Sequence, residues 1–310
     1  MVLAGGLSHE RDVSLRSGRR VADALTRSGS EVHVRDVDQT LVAAIRSTRP
    51  EVVWPVLHGA TGEDGALRDV LASLGIAYVG SRPASCHLTW DKPVAKALMA
   101  AEGISTPAGV ALSHATFREL GAPALLESVV DSLGLPLAVK PARGGSALGL
   151  TIVRSAADLP SAMVTAYAYG DMVLIEQFIS GTEVAISMVE DAHGQMRSLP
   201  AVEIVPDGGV YSYEARYTAG ATEFFTPARL SASAAASAAA ASLTAFRTLG
   251  HQHLSRVDLI IDADERPWFL EANVSPGMTE TSLLPMAVQG AGLDSAGVYA
   301  GIVERALTAS

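Results

Sequence analysis

The sequence predicts an α/β fold whose N-terminal third contains a parallel sheet. Apolar segments at residues 1–4, 32–37, 52–57 and 76–79 alternate with helical patterns, as they do in βαβ units. The segment 52–57 is almost continuously apolar, which is typical of a strand buried on both faces of a parallel sheet. With 310 residues, 48% of them hydrophobic, the chain is long enough for two domains or three small ones.

Two loops of this N-terminal third are candidate ligand-binding segments. One helix begins near residue 14 and another covers residues 67–74, because apolar residues recur there at helical spacing. Ligands bind a parallel sheet at the carboxyl ends of its strands. The loops 5–12 and 58–65 follow strands and therefore lie at those ends.

A glycine-rich hairpin occupies the middle of the chain. Residues 143–149 (RGGSALG) separate the predicted strands 137–140 and 150–153, so this loop has the shape of a flap. Its backbone N–H groups are suited to holding phosphates, and Lys140 ends the strand before it. Most glycine-rich hairpins are simple turns, and this loop lacks the P-loop pattern, so both interpretations stay open.

From these patterns we predict three domains: an N-terminal parallel-sheet domain over residues 1–84, a central domain with the flap over residues 85–170, and a C-terminal domain over residues 171–310. The other predicted elements are helices 91–101, 115–133, 232–249 and 296–307, strands 110–112, 173–178, 183–189, 198–204, 256–261 and 268–271, and a loop over 206–227.

Composition and charge exclude several classes of protein. The formal net charge of −10 lacks the basic footprint that nucleic-acid binding needs. No apolar run reaches the roughly 18–20 residues of a membrane-spanning helix, and we see no signal-peptide pattern. The single cysteine excludes a disulfide framework. We therefore expect a cytoplasmic protein with small-molecule partners, and neither nucleic acid nor membrane among them.

Three oxygen-bearing side chains end two predicted strands near the C-terminus. Glu271 and Asn273 are two residues apart in one strand and therefore project from the same face, and Asp258 lies on the preceding strand. Oxygen donors without His or Cys are the ligands that Mg²⁺ prefers, with phosphates and water completing its coordination. The alternative is an ordinary solvated strand end.

Acidic and basic residues mark a second candidate site. The apolar strand around residues 174–179 contains Glu176 and is followed by Glu183, and such acids could hold adenine and ribose hydroxyls or simply form a polar strand end. The chain has only three lysines, Lys92, Lys96 and Lys140, against 20 arginines. Each lysine is therefore worth attention, although three residues also fall somewhere by chance.

Two further features receive structural interpretations. Cys86 is predicted to be a buried structural cysteine, because its sequence neighbour His87 is badly placed to activate it. His251 and His253 have the spacing of a metal pair, but no third ligand is evident. We predict that they are surface histidines.

Four motifs, in this order, give the chain a specific resemblance. They are residues 5–14 (GGLSHERDVS), 58–65 (HGATGEDG), 213–217 (YEARY) and 271–279 (EANVSPGMT). Together with the flap they make the chain resemble the ATP-grasp superfamily and, within it, the D-alanine–D-alanine ligase family, over almost its whole length. The resemblance implies a Rossmann-like N-terminal domain, a central flap domain and a C-terminal ATP-grasp domain.

The resemblance also implies roles for individual residues toward ATP and metal. Phosphates would be held by Lys92, Lys140 and Arg216, and the flap with Ser146 would close over them. Adenine would bind Glu176 and the backbone of Phe178 and Ile179, ribose Glu183, and two Mg²⁺ ions (or Mn²⁺) Asp258, Glu271 and Asn273. K⁺ is a further implied cofactor. Arg216 stands where the family usually has Lys, and Gly144 where an acidic residue is common, which would make the flap more mobile.

Toward the amino-acid substrates the resemblance implies a second set of residues. Glu10, linked through Ser146 and Tyr217, would hold the first ammonium group, and Ser282 the carboxylate of the second substrate. His58 would lie near the substrates, and Arg256 with the Gly277 N–H would form the oxyanion hole. A homodimer is implied as well.

The implied reaction is ATP-dependent ligation of two D-alanines through a D-alanyl phosphate, giving D-alanyl-D-alanine, ADP and phosphate for peptidoglycan precursors. A ligase of the same fold with D-lactate, D-serine or another amino acid as second substrate is one alternative. A catalytically silent nucleotide-binding protein is another, although it would have no need of Lys92, Lys140, Arg256 and the three metal candidates together.

Overall fold

The computed structural model describes residues 1–218 and 220–308, and its strands form three sheets. The first sheet is parallel, with strand order β2-β1-β3-β4, which confirms the fold class predicted for this part. Its elements are β1 (Val2–Leu3), α1 (Arg11–Arg27), β2 (Val34–Arg35), α2 (Leu41–Thr48), β3 (Val52–Pro55), α3 (Ala60–Glu63), α4 (Ala66–Ser73), β4 (Ala77–Tyr78) and α5 (Pro83–Trp90).

Small residues bring α1 against β1 and place its first turn at the edge of the sheet. A Cβ atom on Gly18 would lie 2.4 Å from the Cβ of Ala4, so only glycine permits this approach. The Ser14 hydroxyl accepts a bond from the Gly5 N–H (2.9 Å) and donates one to the Val56 carbonyl (2.6 Å). These contacts fix the loop before α1, which carries Glu10.

The second sheet is antiparallel, with strand order β5-β8-β6-β7. Pairing places β8 in this sheet, although β8 begins two residues beyond the predicted domain boundary at residue 170. The three-domain division stays a prediction. The elements are α6 (Lys92–Ala101), β5 (Gly109–Ser113), α7 (His114–Leu120), α8 (Ala122–Leu133), β6 (Leu137–Pro141), β7 (Thr151–Val153), α9 (Leu159–Tyr167) and β8 (Met172–Gln177).

The third sheet has strand order β12-β11-β9-β13-β14, with β10 paired to β9 at the side. Its strand β13, which lies between β9 and β14, is buried along its whole length. The elements are β9 (Thr182–Glu190), β10 (Met196–Ser198), β11 (Val202–Pro206), α10 (Tyr213–Tyr217), β12 (Thr222–Phe225), α11 (Ala232–Thr248), β13 (Leu254–Ile261), β14 (Pro267–Asn273), α12 (Leu283–Gly290) and α13 (Ser295–Thr308).

Three predicted elements differ from the structure. The strand predicted over 198–204 is interrupted, because β10 ends at Ser198 and β11 begins at Val202. The single helix predicted over 115–133 is two helices, because Gly121 adopts a φ of 78° and Pro123 starts a new first turn. The segment 206–227, predicted as a loop, contains α10 and β12, and β12 pairs with β11. Ala219 of that segment lies outside the described residues.

The first and third sheets share one hydrophobic core. Val21 and Leu25 of α1 pack in the same buried cluster as Leu284 of α12 and Ile302 of α13. This packing holds the loop before α1 and the loop after β14 in a fixed relation. None of the helices within residues 1–218 and 220–308 combines the length and apolar character needed to cross a membrane.

The same junction corrects the prediction for the two histidines. His251 and His253 are each only 4% exposed, so the expectation of surface histidines was wrong. His253 Nδ1 accepts a bond from the Gly80 N–H (2.9 Å), and His251 Nε2 lies 2.8 Å from the Thr89 hydroxyl. The spacing of the two histidines in the sequence could not reveal that the segment before β13 packs against Gly80 and Thr89. Cys86 is fully buried, as predicted.

Candidate active site

Two adjoining clefts lie where the three sheets meet. The larger spans about 1520 Å³, part of it open to solvent, beneath the flap and between β6, β8 and β9. The smaller spans about 860 Å³, also partly open, between the loops of the first sheet, the flap and the end of β14. Lys92, Gly144, Arg216 and Glu271 line both clefts. A ligand in the larger cleft can therefore present one end to a ligand in the smaller.

Every site residue predicted from the sequence lines one of these clefts. Asp258, Lys140 and the two glutamates predicted for adenosine line the larger, together with Phe178 and Ile179. Those in the smaller cleft are Glu10, His58, Lys92, Ser146, Arg216, Tyr217, Arg256, Glu271, Asn273, Gly277 and Ser282.

The register of β13 and β14 brings the metal candidates together. Asp258 pairs with Glu271 and Arg256 pairs with Asn273. Because the residues of each strand are two positions apart, all four side chains lie on the same face of the sheet. Arg256 donates from Nε to Asp258 Oδ1 (2.7 Å) and from Nη2 to Oδ2 (2.8 Å). Burial disfavours the guanidinium charge, but Asp258 and Glu271 outweigh burial and raise the pKa of Arg256.

Glu271 is ionised although it is only partly exposed to solvent. Burial opposes its charge, but Lys92, Lys140, Arg216 and Arg256 outweigh burial and hold its pKa at about 2. The nearest of these cations is Lys92, whose Nζ lies 3.3 Å from Glu271 Oε2 and donates to the Gly144 carbonyl of the flap at 2.6 Å. Lys92 therefore connects the flap to the metal candidates.

The donor set fits Mg²⁺ that arrives with a nucleotide. Two carboxylates and the Asn273 amide, whose oxygen accepts from the Ser275 N–H at 2.7 Å, are hard oxygen donors on one face. No group of three or more His, Cys, Asp or Glu residues suited to a metal ion occurs among the residues that the structure describes. Three protein ligands leave coordination positions for phosphate oxygens and water, as nucleotide-bound Mg²⁺ requires.

The inner wall of the larger cleft contains a buried carboxylate between two lysines. Glu176 is 2% exposed; its Oε1 lies 2.5 Å from Lys140 Nζ and its Oε2 lies 2.9 Å from Lys96 Nζ. Lys96 also donates to the Phe269 carbonyl at 3.2 Å. Sequence reasoning gave Lys96 no role. The available signals were its spacing of four from Lys92 and the rarity of lysine in this chain.

The other residues predicted to hold adenosine, Glu183, Phe178 and Ile179, also line the larger cleft. Burial raises the pKa of Glu183 to about 7, although Arg216 opposes the rise. The Phe178 N–H donates to the Pro136 carbonyl at 3.1 Å, so of its backbone groups the carbonyl is the one open to a ligand. Arg216 stacks over the Tyr211 ring at 4.1 Å, which holds its guanidinium between the two clefts.

A three-residue contact closes the smaller cleft. The Ser146 hydroxyl in the flap donates to Glu10 Oε1 and lies 2.7 Å from the Tyr217 hydroxyl, which itself donates to Glu10 Oε1 at 3.3 Å. Partial desolvation of its hydroxyl group and the neighbouring Glu10 raise the pKa of Tyr217 to about 12, so the phenol stays protonated. The contact joins α10, the flap and the loop before α1, as predicted for these residues.

His58 and Glu63 line the deep end of the smaller cleft. His58 Nδ1 lies 3.1 Å from the Ser275 carbonyl and Nε2 3.4 Å from the Ser17 hydroxyl, and burial lowers its pKa. Burial and Glu10 raise the pKa of Glu63 to about 8. Sequence reasoning assigned Glu63 no role, because only the fold places it beside Glu10.

The turn after β14 forms the remaining side of the smaller cleft. The Ser282 hydroxyl accepts from the Thr279 N–H at 3.0 Å, just before α12 begins. A Cβ atom on Gly277 would lie 2.6 Å from that hydroxyl, so glycine allows the turn to close against Ser282. Arg256, Gly277 and Ser282 thereby face one space.

Comparison with known proteins agrees with this geometry. The family model described as "D-ala D-ala ligase C-terminus" matches residues 98–304. The D-alanine--D-alanine ligase of Bordetella petrii is 41% identical over 305 residues, which are 98% of this chain and 91% of that protein. The enzyme of the same name from Gloeobacter violaceus is 40% identical over 307 residues, 99% of this chain and 98% of that one.

Solved structures give the same result. The D-alanine--D-alanine ligase from Bacillus anthracis complexed with ATP superposes with a TM-score of 0.83 at 29% identity, covering 99% of this chain and 97% of that one. The VanG D-Ala:D-Ser ligase from Enterococcus faecalis superposes with a TM-score of 0.85 at 26% identity, covering 98% of both chains. The chain therefore belongs to the D-alanine–D-alanine ligase family and has its ATP-grasp fold.

Proposed function

We propose that this protein uses ATP to join two D-alanines into D-alanyl-D-alanine, releasing ADP and phosphate, as a step toward peptidoglycan precursors. The observation that carries the proposal is the contact of Glu10, Ser146 and Tyr217, which closes a small polar cleft next to a nucleotide-sized one. Relatives of about 40% identity named for this activity support it.

In this proposal the larger cleft binds ATP. Glu176, the Phe178 carbonyl and the Ile179 backbone hold adenine, and Glu183 bonds the ribose. The phosphates extend toward Lys92 and Arg216, which line both clefts, and toward Lys140 on the wall of the larger cleft. Asp258, Glu271 and Asn273 would hold two Mg²⁺ ions. When bound, these ions would neutralise the charge of the phosphates and orient them. Mn²⁺ as a substitute and K⁺ as an activator belong to the same proposal.

The amino acids bind in the smaller cleft. Glu10 receives the ammonium of the first D-alanine, with its carboxylate directed toward Arg256 and the phosphate end of ATP. Ser282 receives the carboxylate of the second, and His58 packs beside the pair. These assignments are supported by the buried charges: an anion at Glu10 matches an ammonium, and a cation at Arg256 matches a carboxylate.

A carboxylate is a poor electrophile, so the reaction needs activation. The first carboxylate oxygen bonds to the γ-phosphorus of ATP while the bond from that phosphorus to ADP breaks, giving an acyl phosphate. The amine of the second D-alanine then attacks the acyl carbon, and phosphate leaves with the bonding electrons after the amine has lost a proton. Arg256 and the Gly277 N–H stabilise the oxyanion of the tetrahedral intermediate.

Water must be kept from the acyl phosphate. The flap and the segment with α10 cover the two clefts, and Ser146 and Tyr217 hold these covers to Glu10. Opening of the three-residue contact would release product and admit the next substrates.

The test is release of ADP by the purified protein with ATP, Mg²⁺ and K⁺. D-alanine alone is expected to give strong release, with the dipeptide seen by mass spectrometry. ATP binding without release on any amino acid would contradict the proposal and favour a silent nucleotide-binding protein.

A different second substrate is the other candidate. The structural match to a ligase named for D-Ala and D-Ser supports its inclusion. The same assay with D-alanine mixed with D-serine, D-lactate or L-alanine distinguishes the two, because release only with a mixture would move the assignment to a related ligase. We also propose a cytoplasmic homodimer, supported by the family resemblance and by the need for cellular ATP; sedimentation checks the assembly.

A further inference from the structure

Lys96 is the one lysine that neither cleft uses directly. Its side chain is 7% exposed, and Lys92 and Lys140 are the lysines that line the clefts as the described residues form them. Lys92 and Lys96 are one turn apart on α6 and therefore leave the same face of the helix. Lys92 faces the flap and the metal candidates, while Lys96 extends to β8 and β14 behind the cleft wall.

The charge of Lys96 is costly to bury and has a specific partner. Burial lowers its pKa to about 8 in spite of the attraction of Glu176. Burial likewise opposes ionisation of Glu176, but Lys140 and Lys96 together outweigh it and lower the pKa of that carboxyl. A methionine or leucine would fill the position of Lys96 at less electrostatic cost, so its charge serves another purpose than packing.

The two lysines divide the carboxylate between them. Lys140 contacts Oε1 on the cleft side, whereas Lys96 contacts Oε2, which has almost no exposed surface. Each carboxylate oxygen has two acceptor positions, so Oε1 retains one for a ligand in the cleft. Because Lys96 also bonds the Phe269 carbonyl, its ammonium group is fixed between two strands.

We propose that Lys96 is a positioning residue for nucleotide-base selection: it anchors Glu176 as an ionised, acceptor-only group that prefers a base with an exocyclic amino donor over a base with a carbonyl at the same place. The inference rests on the proposed function, in which Glu176 faces the purine. A buried acceptor bonded by an amino group gains a hydrogen bond, whereas the same acceptor against a carbonyl oxygen meets a second acceptor and loses its hydration.

The test compares ATP with ITP, in which a carbonyl replaces the 6-amino group. K96M should raise KM for ATP roughly tenfold while kcat and KM for D-alanine change by less than about threefold. The preference for ATP over ITP in kcat/KM should fall at least about tenfold, because a carboxyl held by Lys140 alone can turn or protonate on the oxygen that Lys96 no longer contacts, and then donate to the carbonyl of ITP. K96R, which keeps the charge, should retain most of the preference.

K92M is the matched control on the same helix face. Loss of the Lys92 ammonium group in this variant should weaken the binding of ATP and of ITP equally, because Lys92 faces the phosphates, which the two nucleotides share. In an E176Q background, K96M should add little further change in the ATP/ITP ratio, since the two act through one carboxylate. If K96M does not fold, K96Q, which keeps a donor toward the Phe269 carbonyl, takes its place.

If K96M lowers kcat/KM equally with ATP and with ITP, the ratio of the two is unchanged. That result would overturn the inference and leave Lys96 a structural residue. Failure of the wild-type protein to release ADP with D-alanine would instead remove the proposed function. Equilibrium binding of ATP and ITP to the same variants would still decide the role of Lys96 in that case, so the two failures are distinguishable.

Discussion

Arg256 contacts a proposed metal ligand and also lines the smaller cleft. Two of its five N–H groups bond the buried carboxylate of Asp258 and offset its charge. The side chain also lines the smaller cleft, where the proposed function expects the oxyanion. In that proposal one side chain therefore links β13 to the reacting centre.

Replacing Arg256 by alanine should lower kcat by at least roughly 10²–10³, because an oxyanion donor is removed from a site shielded from water. Steady-state ADP release measures the loss. R256K, which keeps the charge without the planar fork, should recover part of the rate. Near-normal turnover of folded R256A would refute the assignment, and its melting temperature checks that the protein is intact.

Tyr217→Phe should raise KM for D-alanine severalfold and weaken discrimination against D-lactate, because the variant loses the hydroxyl contacts that hold α10 to Ser146 of the flap and to Glu10. Kinetics with D-alanine alone and with D-lactate mixtures test this. Tyr213→Phe is the control: Tyr213 is on the same helix, with its ring centre 4.8 Å from that of Tyr217. Identical behaviour of the two variants would make Tyr217 an ordinary loop aromatic.

Residues such as Lys96 and Glu63 mark the limit of sequence reasoning at this scale. Period-two spacing placed Glu271 and Asn273 on one face, which the strand register confirms. A buried partner that is distant in sequence leaves no local pattern: Lys96 and Glu176 are 80 positions apart. Their pairing follows only from the packing of α6 against β14, which brings the Lys96 ammonium group to Glu176 of β8.

At the scale of elements, the strongly patterned segments were predictable and the short ones were not. Strands such as β13 and β9 have eight and nine residues, more than half of them apolar, so their existence was predicted correctly. Helix α10 has five residues and none of them is buried, so no apolar stripe announces it. The Ser212 cap and its tertiary contacts stabilise it instead.

The junction of α5 with the start of β13 should make stability sensitive to acid. Burial lowers the pKa of His251 to about 3, so between pH 6.5 and 3 the unfolded chain binds a proton that the folded chain does not. The free energy of unfolding should therefore fall as the pH falls through this range, by at most about 1.4 kcal/mol per pH unit from this residue.

Denaturant titrations of wild type and His251→Gln at several pH values test the effect. The variant should lose less stability than the wild type between pH 6.5 and 4. His193→Gln, at an exposed histidine, should follow the wild-type slope. Equal slopes for His251→Gln and wild type would show that the acid sensitivity arises elsewhere.

At the scale of the whole molecule, the site exists only because three sheets converge. ATP should therefore stabilise the protein as a unit: at 100 times its Kd, binding adds about 2.7 kcal/mol, and the melting temperature should rise by several degrees. Scanning calorimetry with ATP and Mg²⁺, then with excess chelator, measures the effect. Glu271→Gln should lose much of the Mg²⁺-dependent part of this rise in melting temperature. A rise that neither the chelator nor this variant reduces would contradict the metal assignment.

The sequence by itself determined the α/β class, the flap, the same-face oxygen donors and, through four ordered motifs, the family. These depend on local periodicity or on short segments, and local patterns survive in a linear chain. Only the tertiary structure decided which charges neutralise one another: Arg256 with Asp258, Lys92 with Glu271, and two lysines with Glu176. Burial and pairing depend on elements that are distant in sequence, and the free energy of a buried charge is set by neighbours that only folding supplies.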